Sequence, residues 1–362
     1  MSEIKITIER VNAVEPHPGA DRLEIVKVLG TQTVAPKGQY KVGYWVVFFP
    51  PDILLPGPIS EKLGVQQYLK TALFDGLKIP CRVAAKRLRG VASYGFIALV
   101  SETLPNVTNQ YVGKDVTEMF GGVKYEPPVR YSNNGAAWGD GAAEPAEFHR
   151  YTDIQHFYRY PDTITPGTLV RITEKIHGTN CRVALLNLNG EWQFMAGSHN
   201  TGRKKFDAKG QLSLYWRPLE NIEVLNLLTN LCAEKDNVIV FGELFGPGVQ
   251  DLDYGVPAGD VGFRVFDISI NGHYMDGDQV EFFCIMHGVP YVPELFRGVF
   301  TPEVLEQCTD GPSTMPGKSK FTGREGSVVV PLRETYDTSL GRVILKSVSA
   351  DYLDRKGARD DG

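Results

Sequence analysis

The stretch from Leu169 to Phe194 constrains the fold most, because it alternates strand-forming runs with two turns. Leu169-Val170-Arg171-Ile172-Thr173 is rich in β-branched residues and roughly alternating, and Cys181-Arg182-Val183-Ala184-Leu185-Leu186 resumes the pattern. Asn189-Gly190 ahead of Glu191-Trp192-Gln193-Phe194 is a strong hairpin signal. Between the first two runs lies Thr173-Glu174-Lys175-Ile176-His177-Gly178-Thr179-Asn180. Lys175 therefore stands at a strand–turn junction, ahead of a glycine whose backbone freedom lets a phosphate or ribose come close. A lysine so placed is a candidate nucleophile, although Lys-x-x-Gly by itself is far more often a surface lysine before a turn.

At 362 residues the chain exceeds what one hydrophobic core usually supports, so two domains are expected. The first 125 residues read as all-β. Ile4-Lys5-Ile6-Thr7-Ile8 alternates, Leu23-Glu24-Ile25-Val26-Lys27-Val28 follows a turn-rich His17-Pro18-Gly19-Ala20-Asp21, and Tyr44-Trp45-Val46-Val47-Phe48-Phe49 stops at Pro50-Pro51. Ile79-Pro80-Cys81-Arg82-Val83 and Tyr94-Gly95-Phe96-Ile97-Ala98-Leu99-Val100 complete about five short strands, the set of a small OB-like barrel. Residues 126–147, rich in Pro, Gly, Asn and Ala, read as a flexible linker between residues 1–125 and a second domain over 148–362.

A net charge of −5 carries no global polyanion-binding signal. Local basic clusters stand at Lys86-Arg87-Leu88-Arg89, Arg203-Lys204-Lys205 and Arg355-Lys356-Gly357-Ala358-Arg359. On the binding side of a barrel, Lys86, Arg87 and Arg89 would contact nucleic-acid phosphates; a solvated face is the plain alternative. The five cysteines are scattered singly, which indicates neither a zinc site nor a disulfide framework, and Cys181 reads as a small packed residue. No apolar run of membrane-spanning length and no signal-peptide pattern occur, so a cytoplasmic protein without a membrane partner is expected.

Four segments follow Lys175 in the order and rough spacing of a covalent nucleotidyltransferase. They are Val240-Phe241-Gly242-Glu243-Leu244-Phe245-Gly246, Phe263-Arg264-Val265-Phe266-Asp267-Ile268, Arg324-Glu325-Gly326-Ser327-Val328-Val329-Val330 and Arg342-Val343-Ile344-Leu345-Lys346-Ser347. With them the chain resembles the ATP-dependent RNA ligases of the lysine-adenylylating nucleotidyltransferase superfamily, in particular the Deinococcus type with an OB domain ahead of the transferase. The resemblance covers about residues 148–353 and is less sharp over the first 125. It implies an α+β chain, an N-terminal OB-like β-barrel followed by an ATP-grasp-like nucleotidyltransferase domain of antiparallel sheets with helices. It also implies ATP as substrate, Mg²⁺ or Mn²⁺ as metal, a broken RNA or RNA-containing duplex as partner, and a monomer as the usual state.

Attack on a phosphorus needs a neutral amine, whereas a free lysine titrates near ~10.4, so the site must lower that value by desolvation or a neighbouring cation such as Lys346. By the resemblance, Lys175 takes the AMP, Lys346 contributes phosphate charge, and Glu325 holds the metal or its waters. Glu243 contacts the nucleotide sugar, Phe266 stacks on adenine, and Glu174, His177, Gly178 and Asn180 line the ATP site. A histidine at 177, where other branches carry Asp, is the RNA-ligase form. Two positions depart from the pattern. Ile344 stands where many relatives have a second lysine, with Arg342 a candidate substitute, and His199 stands where relatives place a phosphate-binding arginine, with Arg203 the nearest guanidinium able to clamp phosphate.

The expected activity is therefore joining of 3′-hydroxyl and 5′-phosphate ends, at nicks in RNA-containing duplexes, through a lysyl-AMP intermediate. A DNA ligase or capping guanylyltransferase is disfavoured by His177 and by the sixteen residues after Lys346, too few for a C-terminal OB domain. A non-catalytic OB-fold RNA-binding protein is the alternative of another class; it predicts loss of site residues, yet Lys175, Glu243, Glu325 and Lys346 are all present.

Overall fold

The computed structural model describes residues 4–107, 111–125, 141–207, 209–232, 237–315 and 317–355. Most of the segment expected to be a linker, and most of the cluster Arg355-Lys356-Gly357-Ala358-Arg359, lie outside them.

The N-terminal part is β-rich, and its main sheet has five antiparallel strands in the spatial order Phe96–Leu99, Trp45–Phe49, Thr7–Pro16, Leu23–Val28, Thr31–Pro36. Thr7–Pro16 serves two partners: Thr7 to Arg10 pair with Trp45–Phe49, and Val11 to Pro16 pair with Leu23–Val28. An irregularity between Val11 and Ala13 separates the two sets, and such a bulge bends a strand and increases its twist. The curled sheet brings its edge strand against the hairpin Ala85–Leu88/Val91–Tyr94, where Val34 N–H donates to Ser93 Oγ at 3.0 Å and the Thr33 and Ser93 hydroxyls lie 3.1 Å apart.

Two details differ from the sequence expectation. Thr31–Pro36 is a strand of the main sheet although its Thr and Gln content carries little apolar signal, whereas Leu77–Arg82 belongs to a second sheet with Val123–Lys124, Ile53–Leu54 and Lys70–Phe74. The run expected as one strand over 94–100 is divided at Gly95, which has φ +70° and whose missing Cβ would lie 2.0 Å from the Phe49 carbonyl oxygen. Only glycine fits there.

The C-terminal part stacks two sheets between helices. One sheet orders Gln155–His156, Leu345–Val348, Gly326–Pro331, Leu169–Lys175 and Glu294–Val299; the other orders Gly202–Arg203, Glu191–Ser198, Thr179–Leu188, Val238–Phe245, Gly262–Ile270 and His273–Tyr274. Alternation along the strands sorts their side chains between layers. Ala184, Leu186, Ile239, Phe241 and Ile344 meet between the sheets, and Cys181, Val183, Leu185, Val238 and Val240 face the helices Ile222–Leu231 and Gly277–His287. Val170, Ile172, Val329 and Leu345 pack on the helix Pro302–Thr309. Lys346, one residue beyond Leu345, thereby turns toward the inter-sheet face.

Among the described residues no helix is long and apolar enough to cross a membrane. All five cysteines are free thiols, and burial pushes Cys181 well above the ordinary thiol range, consistent with a packed residue.

Candidate active site

Lys175 ends the strand Leu169–Lys175, opposite Gly326 in the neighbouring strand, so its amine emerges beside Glu325. Lys175 Nζ lies 2.5 Å from Glu325 Oε1; the lysine side chain keeps 14% exposure and the glutamate none. Lys346 is also wholly buried, in the next strand of the same sheet. Lys175, Glu325 and Lys346 are thus charged side chains largely removed from water, which burial alone disfavours. Such a group points to chemistry.

The turn after Lys175 is held on every side. His177 N–H donates to the Tyr254 hydroxyl at 2.8 Å, its Nε2 lies 2.7 Å from Asp251 Oδ1, and its Nδ1 lies 2.9 Å from the Tyr352 hydroxyl and 3.7 Å from Glu325 Oε2. Burial works against ionisation of Asp251, but hydrogen bonds from His177 and Arg355 outweigh it and hold the carboxyl well below its usual range. Burial, reinforced by the Glu325 charge, pushes the Tyr254 hydroxyl far above its usual value. Gly178 proves necessary for close approach rather than for an unusual backbone angle, since a Cβ there would lie 2.1 Å from the Leu244 carbonyl oxygen. That approach lets the turn lead directly into Thr179–Leu188, which pairs Asn180 with Glu243. Among the described residues Asn180 Oδ1, a buried atom, has no hydrogen-bond partner. Phe266, half-buried, stands edge-on to Tyr151 at 4.9 Å and packs beside Ile176 and Phe245.

Other expected residues have different surroundings. Glu174 is buried, accepting from Ser313 Oγ at 2.5 Å and from Thr314 N–H and Oγ1 at 2.8 and 2.6 Å, so its carboxylate anchors that loop rather than standing open to a nucleotide. Arg342, the candidate replacement for a lysine at Ile344, is buried between Asp267 and Glu334, each at 2.6 Å, with its guanidinium 3.7 Å from the Tyr274 ring centre. Its charge is thus already balanced inside the sheet stack. Arg203 lies over the Tyr215 ring at 5.3 Å, and Tyr215 OH is 3.4 Å from Thr179 Oγ1, which places this arginine along the edge leading to the site. His199 pairs with Asp153 at 3.0 Å.

The basic hairpin of the barrel is only partly available. Arg87 is ion-paired with Asp351 and, at 3.1 Å, with Asp310, both in the C-terminal part, while Lys86 Nζ donates to the Tyr68 carbonyl at 2.9 Å. Arg89 is exposed at the turn. His17 is latched to this hairpin, its Nε2 2.9 Å from the Leu88 carbonyl. Sequence reasoning passed over Asp251, Tyr254 and Tyr352 altogether. They lie in a loop and a short terminal helix with no local pattern, and only folding brings them to His177.

A β-rich OB-type domain followed by paired antiparallel sheets, with a lysine at the mouth of the second, defines the architecture of a two-domain nucleotidyltransferase. The RNA ligase family model matches residues 168–348, half of the chain, and this protein belongs to the RNA ligase family. An OB-fold domain model matches residues 5–100. Among solved structures, Naegleria gruberi RNA ligase with PPi aligns at 23% identity and a TM-score of 0.74 over 97% of this chain and 98% of that one. A mutant of that ligase with AMP and Mn aligns at 23% identity and 0.74 over 99% and 100%, and another with ATP and Mn at 23% and 0.72 over 98% and 99%. These likenesses show a shared fold over almost the whole length. No curated protein sequence matches the chain.

Proposed function

We propose that this protein is an ATP-dependent RNA ligase that joins 3′-hydroxyl and 5′-phosphate ends through a lysyl-AMP intermediate, acting at breaks in RNA-containing duplexes. The observation that carries the reading is the buried contact of Lys175 Nζ with Glu325 Oε1 at 2.5 Å, in a chain of the RNA ligase family. The Naegleria gruberi structures, solved with ATP, AMP, PPi and Mn, support the choice of nucleotide and metal.

In the first step Lys175 Nζ bonds to the α-phosphorus of ATP, the bond to the β-phosphate oxygen breaks and pyrophosphate leaves. The amine must first lose a proton; Glu325 Oε1 at 2.5 Å holds and orients it, and positive charge from Lys346 would favour its neutral form. Lys346 supplies fixed positive charge for the phosphate oxygens. A 5′-phosphate oxygen of RNA then bonds to the same phosphorus, the P–N bond breaks and Lys175 is released. Finally the 3′-hydroxyl attacks the activated 5′-phosphate and AMP departs. Asn180 Oδ1, with no partner among the described residues, suits an amino or hydroxyl donor of the nucleotide.

Among the described residues no group of three or more His, Cys, Asp or Glu side chains is arranged to hold a metal ion, which fits a Mg²⁺ or Mn²⁺ bound through one carboxylate, water and substrate phosphates rather than in a protein cage. Glu325 would be that carboxylate, and the ion would neutralise charge on the phosphates.

Intact mass after incubation with ATP and Mg²⁺, and separately with GTP, tests the reading. A gain of one AMP that disappears on adding nicked RNA, with a sealed product, is the expected result. A GMP gain would identify a capping enzyme, and no gain a binding protein.

A further inference from the structure

The short helix Ala350–Asp354 is wedged between the two parts of the molecule. Its Tyr352 is fully buried, with the hydroxyl 2.9 Å from His177 Nδ1, and His177 Nε2 lies 2.7 Å from Asp251 Oδ1. Asp251 also receives Arg355 at 2.5 Å, and the Arg355 guanidinium lies over the Tyr352 ring at 4.3 Å. The imidazole is thus held from both sides, Nε2 at the Asp251 carboxylate and Nδ1 at the Tyr352 hydroxyl. Ser349, the cap of the helix, gives its N–H to the Glu325 carbonyl at 2.8 Å. The helix therefore touches both residues that flank the reacting amine.

Its other side belongs to the barrel. Arg87 reaches Asp351 from the hairpin, and Lys70 Nζ donates to the carbonyls of Leu353 and Asp354 at 3.0 and 3.1 Å. Tyr352 and Leu353 share an apolar cluster with Ala85.

Building on the ligase reading, we propose that Tyr352 is a positioning residue for AMP transfer to Lys175, acting through His177, and that the barrel supports it through Arg87. With Nδ1 held by the Tyr352 hydroxyl, the ring is kept 3.7 Å from Glu325 Oε2, and Glu325 remains with Lys175. Removing the hydroxyl frees the imidazole to turn and compete for that carboxylate. Arg87 acts here before any RNA is bound, which separates this role from a phosphate contact.

The test is the rate of lysyl-AMP formation by the full-length protein with ATP and Mg²⁺ and no RNA. Tyr352→Phe keeps the buried ring and should lower the maximal rate about fivefold to tenfold, the effect of one lost hydrogen bond, with half-saturating ATP within about twofold and the melting temperature nearly unchanged. Arg87→Ala should slow the same RNA-free reaction severalfold. A wild-type maximal rate in Tyr352→Phe, or a defect confined to half-saturation or melting temperature, overturns the role of Tyr352; a wild-type rate in Arg87→Ala overturns the barrel's share. Failure of the wild-type protein itself to gain AMP would instead overturn the ligase reading, and this inference with it.

Discussion

At the scale of single residues, Lys175, Glu325 and Lys346 are charged groups that burial alone would not favour. Lys175→Arg should abolish the AMP mass gain, because a guanidinium stays protonated at any working pH. Glu325→Gln removes the carboxylate that would orient the amine and hold the metal, and Lys346→Ala removes phosphate charge; each should slow lysyl-AMP formation on the order of 10²-fold, measured under single turnover. Asp251 offers a pH signature. Its carboxyl is held below the usual range in the folded protein by His177 and Arg355, so its stabilising contribution is complete above the unfolded value near ~3.9 and declines as the pH falls toward the folded one. The melting-temperature gap between wild type and Asp251→Asn should accordingly be widest near neutrality and narrow below about pH 4. Arg342 gives the opposite lesson to Lys346. Both are buried cations of one segment, yet Arg342 meets Asp267 and Glu334 and serves the core.

At the scale of elements, the period-two pattern of the strands decides which residues reach the site. Lys175, at the end of its strand, must enter the turn beside Glu325, and Gly178 lets that turn pass against Val238–Phe245. Gly178→Ala would drive a methyl group to 2.1 Å from the Leu244 carbonyl oxygen, and the strands would have to part. The expected cost is about 3 kcal/mol, near the upper end for overpacking, read as a lowered urea midpoint together with loss of adenylylation. Strands with long apolar runs, such as Thr179–Leu188 and Val238–Phe245, were legible in the sequence. Thr31–Pro36 was not, because its Thr and Gln content carries little apolar signal and its place comes from backbone pairing with Leu23–Val28 and from hydrogen bonds of Thr33 and Val34 N–H to Ser93 across the barrel.

At the scale of the whole molecule, the barrel shares an apolar cluster with the transferase, Ala85 packing with Leu252, Val348 and Tyr352. A fragment of residues 148–362 should therefore lose melting temperature as well as nick sealing, since it exposes that cluster to water. The nucleic-acid face is a separate question. With Arg87 paired to Asp310 and Asp351, any phosphate contact from the hairpin would fall mainly to Arg89, with Lys86 beside it. Lys86→Glu combined with Arg89→Glu should weaken binding to nicked RNA duplex, more at low salt than at high, because phosphate contacts release counterions. Equal affinity of mutant and wild type at low salt would remove the hairpin from the binding face.

The sequence by itself determined the order of the two parts and the strands around Lys175, because strand patterning is a local feature, and its resemblance to the RNA ligases pointed to the candidates Lys175, Glu243, Glu325 and Lys346. It also set His177 and Gly178 beside the lysine. Tertiary structure alone decided what those residues meet. Tyr352, 175 positions beyond His177, and Asp251, 74 positions beyond, reach the imidazole only once both sheets have stacked. The fate of the charged side chains was likewise beyond local reading. Arg87 and Arg342 look alike as basic residues in a chain, and only the carboxylates brought to them by folding show that each is committed to holding the molecule together.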